Sequence, residues 1–107
     1  MKGVIELKYY IVKYVHKDLV GWKNFLEEHI DYLNRQVENG HIVASGPIEN
    51  DLSNQNEAFL IFNIQDKVSL LKLIEQDPFW KKGLVDEYSI DLWEPWFGDL
   101  NNLKIEK

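Results

Sequence analysis

The chain has 107 residues, which is enough for one hydrophobic core and too little for two independent ones. An aromatic fraction of 13% excludes extensive disorder, and a formal net charge of −6 argues against a general nucleic-acid binder, because neutralising phosphates needs clustered Lys and Arg. The absence of cysteine excludes disulfides, thiolate metal ligands and cysteine nucleophiles. We expect residues 1–107 to form a single domain, with its core at residues 8–97 and a polar tail at 98–107.

The sequence contains no segment with the features of a membrane span or a secretory signal. Its longest apolar runs are a few residues long, whereas a helix needs about 20 apolar residues to cross a bilayer. Residues 1–6 lack the long apolar stretch of a signal peptide. These features predict a cytoplasmic protein that does not bind membranes.

The first half of the chain predicts a strand, a long helix and a second strand. Residues 8–15 are rich in β-branched and aromatic types and are apolar on both faces, with Tyr10, Val12 and Tyr14 on one of them. Asp18 is a suitable N-cap for a helix over residues 19–39, which Gly40 ends. Four apolar residues recur at helical spacing and predict its buried face: Trp22, Leu26, Leu33 and Val37.

The second half predicts two more strands with a helix between them. Asp66 caps this helix, which ends at Asp77 because the residue before a proline avoids the helical conformation. The remaining elements follow from composition and alternation: a strand at residues 41–48, a polar loop at 49–56, a strand at 57–64, a short turn at 79–83 and a strand at 84–93.

The order β-α-β-β-α-β predicts an α+β fold of the ferredoxin-like type, with an antiparallel sheet and both helices on one face. Right-handed crossovers favour the strand order 4-1-3-2. Two helices cover only one face of the sheet, yet the first and third strands are apolar on both faces. Since large uncovered apolar patches are typical of interfaces, we expect a homodimer that buries sheet against sheet.

The three histidines are the first candidates for chemistry. His16 and His41 fall at opposite ends of the sheet, about 23 Å apart along a strand. They cannot share a metal ion, and we expect them to be surface or strand-end residues. His29 lies on or beside the apolar stripe of the long helix, which leaves two interpretations. It is either a core histidine bonded to a backbone group or an acid–base group in a pocket, for which a pKa near 6.5 is well suited.

Asp77 also allows two interpretations. Followed by Pro78, it has the pattern of an N-cap with proline at the first helical position. The topology brings it to the end of the sandwich that also holds Trp22 and the segment Ser45-Gly46-Pro47. His29 lies about 10 Å further along the helix axis than Trp22, so contact with Asp77 requires the helix to tilt or to start late. A further aromatic set either lines a pocket or packs in the core and at the dimer seam, and we expect packing: Trp80, Trp93, Trp96 and Phe97.

Four short motifs, in this order and spacing, resemble the YCII-related domain family over about residues 8–97. They are His29-Ile30-Asp31-Tyr32-Leu33, Gly40, Ser45-Gly46-Pro47 and Asp77-Pro78-Phe79. The resemblance implies a ferredoxin-like fold, a dimeric α/β-barrel and a His-Asp pair in a pocket, at His29 and Asp77. One type of family member is a dehydrochlorinase of a chlorinated hydroxyhydroquinone, while most members have no established activity.

Three hypotheses for the function follow. In the first, the protein is an enzyme without metal or organic cofactor, in which Asp77 orients His29 for proton transfer during an elimination, a dehydrochlorination or an isomerisation of a small cyclic or carbonyl compound. In the second, the same pocket binds a small ligand without turnover, and in the third the protein is a structural dimer. The first two predict an open cavity at His29 and the third a filled core. The expected substrate-binding residues are Trp22, Ser45, Gly46 and Phe79.

Overall fold

The computed structural model describes residues 6–51, 54–98 and 100, so most of the predicted polar tail lies outside the described residues. Within the described ranges the chain forms four strands and three helices. In chain order they are β1 (Lys8–His16), α1 (Leu19–Glu38), β2 (Ile42–Pro47), β3 (Asn56–Ile64), α2 (Lys67–Ile74), α3 (Pro78–Lys81) and β4 (Glu87–Trp93).

The four strands form one antiparallel sheet in the order β2-β3-β1-β4. This is the predicted order 4-1-3-2 read from the other edge, and it confirms the ferredoxin-like α+β fold. The central strands are β1 and β3, and in their register Val12 lies opposite Leu60 of β3 and Ile90 of β4. The pairing register of the edge strand β2 with β3 shifts between Ile42 and Ala44.

The core lies between the helices and the predicted inner face of β1, formed by Tyr10, Val12 and Tyr14, which are all buried. Burying a large apolar side chain of this kind contributes roughly 1.5–3 kcal/mol, so this layer supplies much of the driving force for folding. The same cluster contains residues of β2, β3 and α2, namely Ile42, Leu60, Phe62, Ile64, Leu70 and Ile74.

The capping predictions are confirmed. Asp18 accepts a hydrogen bond from the backbone N–H of Gly21 at 2.9 Å and starts α1, and Asp66 does the same for α2 from Ser69 at 2.8 Å. The latter bond lowers the pKa of the Asp66 carboxyl, because backbone N–H donation stabilises the charged form. After α1, Gly40 adopts a φ of +80°, which only glycine tolerates without strain.

The predicted buried face of α1 is only partly correct: Leu33 packs against the core, but the fully buried residues of the helix are others. The buried residues are His29, Tyr32 and Gln36, whereas Val37 is half exposed. The buried residues are polar, and each has a partner: Asp77, the Leu73 carbonyl and His41, respectively. The rest of the predicted stripe is only half-buried: Trp22, Leu26 and Leu33.

Two further boundaries differ from the prediction. The turn expected at residues 79–83 is the short helix α3, and β4 starts at Glu87 rather than at residue 84. Leu84 is buried but lies outside the sheet, because its backbone N–H donates to the Phe79 carbonyl at 2.8 Å. The segment before β4 is therefore tied to α3.

The sheet face opposite the helices remains partly uncovered. Ile11 lies opposite Ile61 on this face, and Phe59 beside them is 44% exposed. The prediction of core packing is wrong for Trp96 and Phe97, whose side chains are exposed. No helix in residues 6–51, 54–98 and 100 combines the length and the apolar character needed to cross a membrane.

Candidate active site

The centre of the site is the carboxylate of Asp77, which is fully buried between α2 and α3. Its Oδ1 accepts a hydrogen bond from the backbone N–H of Phe79 at 2.9 Å and thereby caps α3. The same oxygen lies 2.8 Å from Nδ1 of His29 on α1. Its Oδ2 accepts a hydrogen bond from the Tyr14 hydroxyl on β1 at 3.2 Å. Three donors compensate the cost of burying this charge, and both interpretations of Asp77 hold together: it is a helix cap and the partner of a histidine.

The bond to Asp77 fixes the tautomer of His29. A carboxylate only accepts, so Nδ1 carries the proton and Nε2 is the nitrogen left for other partners. The imidazole stacks on the Phe79 ring, with centroids 4.1 Å apart and planes at 16°. Although the sequence spacing made contact with Asp77 doubtful, the position of His29 on the buried face of α1 brings the two side chains together.

Tyr14 was not predicted as a site residue. Burial and, secondly, the adjacent Asp77 charge raise the pKa of its hydroxyl far above the ordinary value, so it stays protonated and donates to the carboxylate. The same causes raise the pKa of Tyr32, whose hydroxyl donates to the Leu73 carbonyl at 2.6 Å. The sequence signal for Tyr14 was its place near the end of the first strand, on the same face as Tyr10 and Val12. The structure brings the start of α3 to this end of β1.

His16 was also missed. It ends β1 as predicted, but it is 2% exposed rather than a surface residue, and its Nδ1 lies 2.6 Å from the Leu84 carbonyl. Its ring contacts that of Phe79, with centroids 4.9 Å apart. Burial lowers its pKa. His41, in contrast, bonds Gln36 through Nδ1 at 2.9 Å, away from this cluster.

An open cleft of about 980 Å³ adjoins these groups. One wall is the half-buried apolar face of α1, including Trp22 and Leu26, and the other runs from the end of β2 to the start of β3. Both His29 and His16 line the cleft. The structure brings the predicted binding residues to the same cleft: Trp22, Ser45, Gly46 and Phe79.

The charged residues that line the cleft are acidic. They are Glu49, Asp51 and Glu57, and the described residues of the lining include no Lys or Arg. Glu57 is paired with Lys13 at 3.4 Å and accepts a hydrogen bond from Gln55. Among the described residues, no group of three or more His, Asp or Glu side chains is placed to hold a metal ion. The carboxylates Glu49, Asp51 and Glu57 thus give the described part of the cleft wall a negative formal charge.

One solved structure similar to this chain is the 5-chloro-2-hydroxyhydroquinone dehydrochlorinase from Burkholderia phenoliruptrix AC1100, in complex with 2,5-dihydroxybenzoquinone. The two share 20% sequence identity, with a TM-score of 0.68 over 80% of this chain and 93% of the dehydrochlorinase. At this identity the likeness shows a common fold. No curated protein matches the chain. Residues 8–94 match the model of the YCII-related domain, which is most of the sequence. The chain therefore belongs to the YCII-related domain family.

Proposed function

We propose that this protein is an acid–base enzyme, independent of metal and organic cofactors, that acts on a small uncharged ring compound carrying hydroxyl or carbonyl groups. The observation that carries the proposal is the 2.8 Å bond between His29 and a fully buried Asp77 at the wall of an open cleft. Further support comes from the structural neighbour, whose substrate is a chlorinated hydroxyhydroquinone.

In the proposed mechanism, Nε2 of His29 removes a proton from the bound ring compound. Asp77 holds the imidazole through Nδ1 and stabilises its cation, while Tyr14 and the Phe79 backbone keep the carboxylate in place. In an elimination, the electron pair of the broken bond expels the leaving group. In an isomerisation, His29 returns the proton to another atom of the same molecule.

The decisive variant is His29→Asn, because the asparagine side-chain amide takes roughly the place of Nδ1 and can still donate to Asp77, while Nε2 is lost. We expect kcat/KM for chlorinated hydroxyhydroquinone, measured without oxygen as chloride release, to fall by about 10²–10⁴-fold. Thermal unfolding should change little.

The matched control is His41→Asn, since His41 also uses Nδ1 for a side-chain partner but lies outside the cleft. It should retain full activity. Turnover by His29→Asn at the wild-type rate would contradict the proposal. Binding of the compound by the wild type without chloride release would instead favour a ligand-binding module.

We also propose that the protein is a homodimer that pairs the uncovered sheet faces of two copies. Ile11, Ile61 and the 44%-exposed Phe59 support this arrangement, because they form an apolar patch on the sheet face opposite the described helices. The cleft lies on the helix side of β1 and β3. Dimerisation through the opposite face of the sheet therefore leaves His29 accessible.

A further inference from the structure

The cleft contains a second imidazole that the proposed mechanism does not use. His16 lies at the end of β1, contacts the Phe79 ring on which His29 stacks, and lines the same cleft. Its Nδ1 is bonded to the Leu84 carbonyl, so Nε2 is the ring nitrogen left for a partner in the cleft. The question is what its second nitrogen offers to a bound molecule.

The partner of Nδ1 determines the answer. The Leu84 carbonyl, 2.6 Å away, can only accept, so Nδ1 of His16 carries a proton. In the neutral ring, Nε2 therefore bears a lone pair and no proton. This nitrogen is a hydrogen-bond acceptor for a molecule in the cleft.

The surroundings of His16 favour this neutral form. Burial is the main cause of its lowered pKa, and His29 adds to the effect, while the Leu84 carbonyl, Asp77 and Asp86 oppose it. Its other neighbours are the rings of Tyr14 and Phe79, which bring no charge at neutral pH. His29 differs because a carboxylate, rather than a carbonyl, accepts its Nδ1 proton. The Nδ1 atoms of the two imidazoles thus have different partners.

We propose that His16 is a second ligand-contacting residue, whose Nε2 accepts a hydrogen bond from a ring hydroxyl of the molecule on which His29 acts. This inference rests on the proposed function and narrows its substrate class to rings with at least one free hydroxyl group. His29 exchanges the proton, and His16 sets the orientation of the ring in the cleft.

The test measures the binding of two ligands to two proteins, the wild type and one variant. The ligands are hydroxyhydroquinone, which lacks the chlorine and is not turned over, and its trimethyl ether, which has no hydroxyl donor. The variant is His16→Asn, whose amide can still donate to the Leu84 carbonyl but offers no acceptor in place of Nε2. Binding is measured by calorimetry without oxygen.

We expect His16→Asn to weaken binding of hydroxyhydroquinone by roughly 3- to 10-fold, the effect of one hydrogen bond. It should leave binding of the trimethyl ether unchanged. In long-range proton–nitrogen NMR spectra of the wild type, Nε2 of His16 should be unprotonated and should shift when hydroxyhydroquinone is added. His16→Phe, which keeps the ring packing, should bind both ligands as His16→Asn does.

Three results would overturn the proposal. Equal binding of hydroxyhydroquinone by the wild type and His16→Asn, with a ligand-induced shift of His29 only, removes His16 from the site but leaves the proposed function intact. An equal loss for both ligands in His16→Asn shows that His16 only supports the cleft. If the ligand shifts neither imidazole, this inference and the proposed function both fail.

Discussion

At the scale of single residues, Asp77 combines three roles in one buried side chain. One carboxylate caps α3, holds His29 and accepts the Tyr14 hydroxyl, with no contact to solvent. Substituting it removes all three interactions together. Loss of activity in an Asp77 variant would therefore not separate a catalytic defect from a folding defect, whereas changes at its partners do so.

Tyr14→Phe is such a change. It removes only the hydrogen bond to Oδ2, and bonds to charged groups contribute about 1.5–3 kcal/mol. Because this bond is 3.2 Å long, we expect the free energy of unfolding to fall by about 1.5 kcal/mol. Chemical denaturation measures this change, provided that the dependence of the unfolding free energy on denaturant concentration is the same in both proteins. The control is Tyr10→Phe, because the Tyr10 side chain lies on the same face of β1 and its hydroxyl makes no hydrogen bond in the described chain. Similar losses of unfolding free energy in both variants would contradict the role assigned to Tyr14.

His29 and Asp77 were predicted as site residues chiefly because the motifs that contain them resemble the YCII-related domain family. Asp77 stands before a proline and at the predicted end of a helix, and His29 stands within an otherwise apolar stripe. Tyr14 and His16 carry no such signal, because an aromatic residue in a strand and a histidine at its end are both common. Their roles depend on where α3 and Leu84 lie, and these contacts join residues more than 60 positions apart.

At the scale of elements, α1 shows why its buried face was only partly predicted. Periodicity identifies an apolar stripe but not the surface it meets. Here Trp22, Leu26 and Leu33 line the cleft and are only half-buried. His29 and Tyr32 are buried although they are polar, because Asp77 and the Leu73 carbonyl provide hydrogen-bond partners for them. The helix boundaries and caps were predictable because they depend on local sequence.

The sheet gives a prediction at the same scale. Phe59→Lys places a charge on the uncovered face, so we expect the mass in solution to fall from twice the chain mass of 12.7 kDa to that of one chain. Light scattering at micromolar concentration measures this change. Val68→Lys on α2, where the replaced valine is 64% exposed, is the matched control and should remain dimeric. A monomeric wild type would exclude the dimer.

At the scale of the whole molecule, His16 links folding to pH. Its pKa is lowered in the folded state, whereas the unfolded chain has the ordinary value of about 6.5. Above that pH both states are neutral and His16 contributes no pH dependence. Below it the unfolded state binds the proton more readily, so the free energy of unfolding falls by up to about 1.4 kcal/mol per pH unit until the folded pKa is reached.

We therefore expect His16→Phe to flatten the stability profile between pH 6.5 and the lowered pKa of the folded state. Denaturation of both proteins at a series of pH values measures the two slopes. A vertical offset between the curves is expected, because the bond to Leu84 is also lost. Parallel curves would show that His16 binds protons equally in both states.

The three elements that meet at Asp77 are distant along the chain. Its partners His29 and Tyr14 are separated from it by 48 and 63 residues, so neither bond can form until β1, α1 and the turn before α3 have docked. Closing such long loops is slow compared with forming a helix. The imidazole–carboxylate pair is therefore expected late in folding, and a partly folded chain would hold its secondary structure without the bond between His29 and Asp77. An NMR signal from the Nδ1 proton of His29 would consequently report on the last steps of folding, even before any substrate is identified.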